Sequence, residues 1–138
     1  MKKMSKSDPS DLSRINLTDE RDLIVNKIKK AKTDPMLMPT NEENLEKRPE
    51  AENLLGIYSS LSNQTLEQSK KEFSGKNFSD FKEKLSDLLV EKIDPISKEI
   101  KKLLNDEKHL DNILFDGSQK ADTIASKKIR EIKQLIGF

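Results

Sequence analysis

Apolar side chains recur at the three- and four-residue spacing of an α-helix along most of this chain. The pattern is clearest in the series Ala51, Leu54, Leu55, Tyr58 and Leu61. The sequence lacks the alternation of short apolar strands with helices that would build a parallel sheet. It therefore predicts an all-α fold, an antiparallel helical bundle.

The composition is marginal for a dense core. Of the 138 residues, 37% are charged and 33% are hydrophobic, with a mean hydropathy of −0.80. Such a mixture can remain disordered, because little apolar surface is available to offset the entropy of the chain. The apolar residues are periodic rather than scattered, so we expect a folded chain the size of one ordinary domain.

Missing residue types exclude several classes of protein. The chain has no cysteine, which excludes disulfides, thiolate catalysis and cysteine-type zinc sites, and a cytoplasmic location is the simplest expectation. No run approaches the ~20 apolar residues of a membrane span, so we expect no membrane partner. The net charge of +1 is too small to suggest nonspecific nucleic-acid binding, and any RNA contact must come from a local patch.

Local signals divide the chain into a loop and a helical domain. Pro9 and several serines and aspartates predict that residues 1–17 are loop and linker, followed by a helical domain over residues 18–138. A long helix begins near Phe78, and Pro95 either kinks it or starts a new one. Helix starts are also predicted at Thr18, Pro49, Thr65 and Asp106.

Two segments carry further expectations about packing. Residues 33–48 form one long connection, whose apolar residues Met36, Leu37 and Met38 should pin it either to this bundle or to a domain outside the chain. The last helix carries an apolar stripe, and Gly117 and Ala121 would let a neighbour approach it closely. The stripe comprises Leu110, Ile113, Leu114, Ala121, Ile124, Ala125, Ile129, Ile132 and Leu135.

The N-terminal loop contains the residues most suited to binding a small anion. Lys3 and Lys6 are cationic at neutral pH and could lie up to about 10 Å apart, which suits a triphosphate. Ser5 and Ser7 add hydroxyl donors beside them. Composition alone favours a frayed basic terminus that binds nothing, since terminal lysines are common.

The order of these residues distinguishes the alternatives. The string Lys3-Met4-Ser5-Lys6-Ser7 resembles the KMSKS signature of class I aminoacyl-tRNA synthetases. Later stretches, each weak alone, resemble bacterial and organellar tryptophanyl-tRNA synthetases in both order and spacing. They are residues 8–10, 13–19, 30–34, 48–50, 53–59, 80–82, 94–96 and 137–138.

The resemblance implies an enzyme that joins tryptophan to tRNA(Trp) in two steps. ATP, accompanied by Mg²⁺, first activates the amino acid to an adenylate with release of pyrophosphate, and the tRNA then takes the acyl group. Lys3 and Lys6 would be catalytic, neutralising charge that develops on the β- and γ-phosphates. Ser5 and Ser7 would fix the loop or the phosphates, and Met4 would anchor the loop. The resemblance also implies a homodimer and anticodon-binding helices.

A second signature of these synthetases, a His-Gly-His type turn that opens a nucleotide-binding Rossmann domain, is absent from this sequence. The single histidine, His109, lies in a charged helical stretch near the other end, and the four glycines form no phosphate-cradling cluster. We therefore expect the C-terminal part of a longer enzyme, beginning at the KMSKS loop, with the Rossmann catalytic half as a missing partner.

Other polar residues favour structural roles, and no metal site of the chain is predicted. Asp8 is expected to fix the turn before Pro9 rather than to bind magnesium, and His109 is expected to lie on the surface. The lysines at the end of the first helix either complement the helix dipole or contact phosphates, and the two later cationic clusters are either solvated faces or, as the resemblance implies, RNA contacts. They are Lys27, Lys29, Lys30 and Lys32; Lys98, Lys101 and Lys102; and Lys127, Lys128, Arg130 and Lys133.

Two alternatives without catalysis remain open from the sequence. In one, the chain is a helical module that grips tRNA through phosphate contacts. In the other, it is a structural module that covers a partner domain. Both roles can coexist with the first inside one synthetase.

Overall fold

The computed structural model describes residues 9–137, and within this range it contains α-helices, two short 3₁₀ turns and no strand. The all-α prediction is confirmed. The 3₁₀ turns are Asp11–Ser13 and Leu45–Lys47. The helices are α1 Arg21–Lys30, α2 Pro49–Ser62, α3 Leu66–Phe73, α4 Phe78–Asn105 and α5 Glu107–Ile136.

The chain divides into two compact units, Met1–Lys98 and Glu99–Phe138. The hydrophobic core lies in the first unit. It is built from buried residues of α1, α2, α3 and α4 together with one residue of the long connection. These are Ile24, Ile28, Met38, Leu54, Leu55, Phe73, Phe81, Leu85, Leu89 and Ile93. Leu54 and Leu55, from the apolar series after Pro49, are part of this core.

Three aromatic rings stabilise the centre of this unit. The ring centroid of Phe73 lies 4.8 Å from that of Phe81 and 4.8 Å from that of Tyr58, both in edge-to-face geometry. Such pairs add to the stabilisation from burial alone. The Tyr58 hydroxyl reaches the surface and donates to Glu72 across 3.2 Å, as expected for a core aromatic with its polar end at the rim.

Most predicted helix starts are confirmed, and one is wrong. Pro49 occupies the first turn of α2, and Thr65 forms a reciprocal capping box with Gln68 at the start of α3. Thr18 does not cap α1, which begins at Arg21. The reason is a tight turn over residues 16–19, in which the Asp19 amide donates to the Asn16 carbonyl across 3.1 Å, so the helix starts only after the turn.

Helix α4 continues through Pro95, which excludes a new helix beginning at that residue. Helix α5 starts at the predicted position, where the Asp106 carboxylate accepts a hydrogen bond from the His109 amide across 3.0 Å.

Helix α5 differs from the sequence expectation in its packing. None of its described residues is buried, and no atom lies within 4 Å of where a Cβ at Gly117 would be. Apolar side chains that are 44–85% exposed are Ile113, Leu114, Phe115, Ile124, Ile129, Ile132, Leu135 and Ile136.

Candidate functional site

The predicted phosphate-binding residues Lys3, Met4, Ser5, Lys6 and Ser7 lie outside the described residues, and so does Asp8. The segment that follows them directly is residues 9–19. This segment forms a 3₁₀ turn, in which the Ser13 hydroxyl donates to the Ser10 carbonyl across 2.9 Å, and then the turn at Asn16. This segment therefore joins the predicted loop to helix α1.

A buried lysine of α1 holds this segment. The Lys27 side chain is only 2% exposed, and its Nζ lies 2.6 Å from an oxygen of Asp19 and 2.7 Å from an oxygen of Asp11. Asp19 in turn accepts a hydrogen bond from the Asn16 amide across 2.9 Å. Charge-assisted bonds of this length are among the stronger polar contacts in proteins. Lys27 lies in the last turn of α1, as predicted, but its ammonium group is bound by these two carboxylates and is not exposed to a phosphate.

The pKa shifts of Lys27 and Asp11 keep both side chains charged. Burial acts to lower the pKa of Lys27, but the hydrogen bonds to Asp11 and Asp19 outweigh it, so this pKa is raised above its ordinary value. The pKa of Asp11 is lowered, first by its hydrogen bond from Lys27 and then by one from the Asn16 side chain. Lys27 therefore remains cationic and Asp11 anionic at neutral pH.

A second charged cluster orders the long connection. Arg48 is 5% exposed, and its guanidinium donates to both carboxylate oxygens of Asp34, at 3.0 and 2.7 Å, and to the Leu37 carbonyl at 2.6 Å. Its third nitrogen lies 3.0 Å from Glu43. The pKa of Asp34 is lowered chiefly by the hydrogen bond from Arg48. One side chain thus fixes three points of a segment without regular structure.

The apolar residues of that connection behave in two ways. Met38 is 1% exposed and exchanges backbone hydrogen bonds with the 75–76 turn, at 2.8 and 3.1 Å. Met36 and Leu37 are 55% and 54% exposed. The long connection is therefore attached to the first unit through Met38. This is one of the two alternatives that the sequence left open.

The predicted cationic groups are partly neutralised on the surface. Lys98 lies 2.6 Å from Asp94, Lys102 3.4 Å from Glu99, and Lys128 3.0 Å from Glu131. Exposed pairs of this kind contribute little to stability. Within residues 9–137, no group of three or more histidine, cysteine or acidic side chains is arranged to hold a metal ion.

An apolar groove lies in the first unit beside the first 3₁₀ turn, Asp11–Ser13. It encloses about 890 Å³ and runs between the segment after the predicted loop, α1, α2 and α4. Its apolar lining includes Leu12, Ile15, Ile57, Leu61, Leu89 and Ile93. An apolar groove of this size is typical of a binding or docking surface.

Comparison with known proteins identifies the family. The model of the family "tRNA synthetases class I (W and Y)" matches residues 1–94, and the chain belongs to this family. The chain is 53% identical to the tryptophan--tRNA ligase of Agrobacterium fabrum over 137 residues, which are 99% of this chain and 39% of that ligase. The resemblance to tryptophanyl-tRNA synthetases is therefore confirmed.

Further relatives carry the same name. The tryptophan--tRNA ligase of Brucella melitensis is 50% identical over 99% of this chain and 39% of its own length. That of Rickettsia conorii is 46% identical over all of this chain and 41% of its own length. The chain thus spans about two fifths of the length of these relatives. Among the described helices, none is long and apolar enough to cross a membrane.

Sequence reasoning missed the two buried cations. A signal for Lys27 was available, because it lies three residues after Ile24 and four before Ala31, on the face that α1 buries. No comparable periodicity marks Arg48, which lies outside the helices.

Proposed function

We propose that this chain acts as part of a tryptophan--tRNA ligase, with Lys3 and Lys6 as catalytic residues of the activation step. The observation that carries this proposal is the match to the synthetase family, which includes the string Lys3-Met4-Ser5-Lys6-Ser7. The complete enzyme would use ATP to activate tryptophan and would then transfer the acyl group to tRNA(Trp) in the cytoplasm.

The two lysines stabilise charge that grows during reaction. As the bond between the α- and β-phosphates breaks, negative charge builds up on the departing pyrophosphate. A lysine about 4 Å away gains roughly 4 kcal/mol per charge at an effective dielectric near 20, before desolvation. Because this interaction is stronger in the transition state than with bound ATP, it accelerates activation. Mg²⁺ would arrive with ATP, and Ser5, Ser7 and Met4 would fix the loop.

The test is tryptophan-dependent ATP–pyrophosphate exchange in a complete ligase. These 138 residues can replace the matching part of the Agrobacterium fabrum ligase. Lys6→Ala should lower the exchange rate by about 10²–10³, the effect of losing one preorganised charge-stabilising contact. Lys2→Ala, which removes a neighbouring lysine outside the signature, is the matched control and should change it less than about threefold. Normal exchange in Lys6→Ala would contradict the assignment.

The 138 residues by themselves should show no exchange. The pockets for adenine and tryptophan belong, by resemblance, to a Rossmann half that this sequence lacks. An exchange rate above background from the purified chain would contradict the placement of these pockets in the Rossmann half.

A second candidate function is binding of the tRNA anticodon region by the helices. Lys127 on α5 is exposed and pairs with no described acidic side chain, whereas its neighbour Lys128 is engaged by Glu131. If Lys127 contacts a phosphate, Lys127→Gln should reduce the slope of log affinity for tRNA(Trp) against log salt by about one, and Lys128→Gln should change it less. An unchanged slope in both variants would contradict a contact between these α5 lysines and tRNA phosphates.

A structural role can coexist with both functions. The apolar groove beside the 3₁₀ turn would then receive part of the Rossmann half, and the complete ligase would be a homodimer. Co-expression of the chain with the rest of the Agrobacterium fabrum ligase should give a stable complex. Ile57→Asp, placed in the groove lining, should weaken that complex, and equal recovery with Ile57→Asp would contradict the assignment of the groove.

A further inference from the structure

The ion pair between Lys27 and Asp11 connects helix α1 to the chain directly after the predicted phosphate-binding loop. Asp11 follows Ser7, the last residue of the KMSKS string, by four residues. Four residues of extended chain span about 14 Å at most, so fixing Asp11 limits the positions that Ser7 can reach. A buried cation on a core helix therefore fixes Asp11, four residues after the predicted loop.

The two carboxylates around Lys27 differ in their surroundings. The Asp19 side chain is 5% exposed and depends on Lys27 for its charge partner, as expected within a folded core. The Asp11 side chain is 48% exposed and could be solvated by water instead. Half-exposed pairs contribute little to folding stability. The contact with Asp11 is therefore better suited to holding the segment in place than to stabilising the fold.

Several contacts converge on the same carboxylate. Asp11 also accepts a hydrogen bond from the Asn16 side chain at 3.1 Å and lies 3.2 Å from the Arg14 guanidinium. The contacts within residues 10–16 therefore centre on the Asp11 carboxylate. Lys27 joins this carboxylate to α1, whose Ile24 and Ile28 belong to the core.

We propose that Lys27 and Asp11 are positioning residues for the phosphate-binding loop, which they hold at a fixed place relative to the helical core. This inference rests on the proposed function of Lys3 and Lys6. Neither residue touches ATP. They act by keeping the loop preorganised, so that its lysines need not be ordered at the moment of reaction.

The test uses the complete ligase carrying these 138 residues. Asp11→Asn removes the charge and keeps the side-chain shape, and it leaves the buried pair of Lys27 and Asp19 intact, so the protein should fold. We expect kcat of ATP–pyrophosphate exchange to fall about tenfold, on the scale of a misplaced catalytic group. The KM for tryptophan and the transfer from preformed adenylate to tRNA should stay within about twofold. Asp22→Asn, on the exposed first turn of α1, is the matched control.

A second pair of variants separates positioning from stability. Lys27→Met should lower exchange at least as much as Asp11→Asn. Lys82→Met loosens the other end of α1, where Lys82 donates to the Lys29 and Ala31 carbonyls at 3.0 and 2.6 Å, and it should lower the melting temperature without a comparable loss of exchange. Equal losses of exchange in Lys27→Met and Lys82→Met, or full activity of Asp11→Asn, would overturn the inference.

Combination with Lys6→Ala distinguishes this inference from the proposed function. If Asp11 acts through the loop, Asp11→Asn should cost less than its tenfold in the Lys6→Ala background, because one of the two lysines that it positions is gone. Full additivity would overturn the positioning role while leaving the catalytic assignment in place. Normal exchange in Lys6→Ala alone would instead remove the proposed function.

Discussion

Replacement of Arg48 by methionine should destabilise the long connection, residues 33–48, between α1 and α2. The variant removes the charge, keeps much of the apolar stem, and leaves Asp34, Glu43 and the Leu37 carbonyl without their common donor. Loss of one member of a buried ion pair typically costs about 3–5 kcal/mol. The Glu43 side chain is 39% exposed and that of Asp34 19%, so both regain part of their hydration. We therefore expect about 3 kcal/mol.

Urea denaturation followed by helical circular dichroism measures this loss at pH 7. A loss of this size should lower the melting temperature by roughly 10 °C in a chain of this length. Arg21→Met, at an exposed position of α1, is the matched control and should stay within about 0.5 kcal/mol of the parent. A loss below about 1 kcal/mol in Arg48→Met would refute the view that Arg48 organises the connection.

The loss in free energy of unfolding caused by Arg48→Met should also depend on pH. The folded-state pKa of Asp34 is lowered from an ordinary value of 3.8, so its pairing stabilises the fold above pH 3.8 and is lost as pH falls through the lower folded value. The difference between parent and variant should therefore shrink under acid. A deficit that is constant from pH 7 to strongly acidic conditions would contradict the ion-pair explanation.

Three further substitutions have predictable effects on the free energy of unfolding, each measured by urea denaturation. Thr65→Ala removes the capping box of α3 and should cost about 1 kcal/mol, and an unchanged midpoint would contradict it. Phe81→Ala, at a fully buried ring, should cost about 3–5 kcal/mol, whereas a loss near 1 would mean that the aromatic centre collapses around the gap. Pro95→Ala should instead stabilise the chain by about 2 kcal/mol, because proline inside a helix removes a hydrogen bond, and a destabilised variant would contradict this.

Local sequence signals were sufficient for most of the fold. Pro49, Thr65 and Asp106 act on the backbone within a few residues of themselves, so the helix starts that they predict do not depend on tertiary contacts. Thr18 failed because the turn closed by Asp19 competes for the same residues. The apolar stripe of α5 was visible, but periodicity identifies a face without identifying what contacts it.

The candidate site could be predicted only in part. The string Lys3 to Ser7 is readable because its residue types and order are specific. The ion pairs of Lys27 and Arg48 join side chains that share no helix with their partners, and the partner of a charge cannot be read from spacing alone. The path of the 33–48 connection depends on these pairs, so it too needed the structure.

The most direct measurement is a crystal structure of the complete ligase carrying this chain, bound to a non-hydrolysable ATP analogue and Mg²⁺. The account predicts that the Nζ atoms of Lys3 and Lys6 lie within about 3.2 Å of β- or γ-phosphate oxygens, with the bond between Lys27 and Asp11 intact. Both ammonium groups turned into bulk solvent, away from the phosphates, would contradict it.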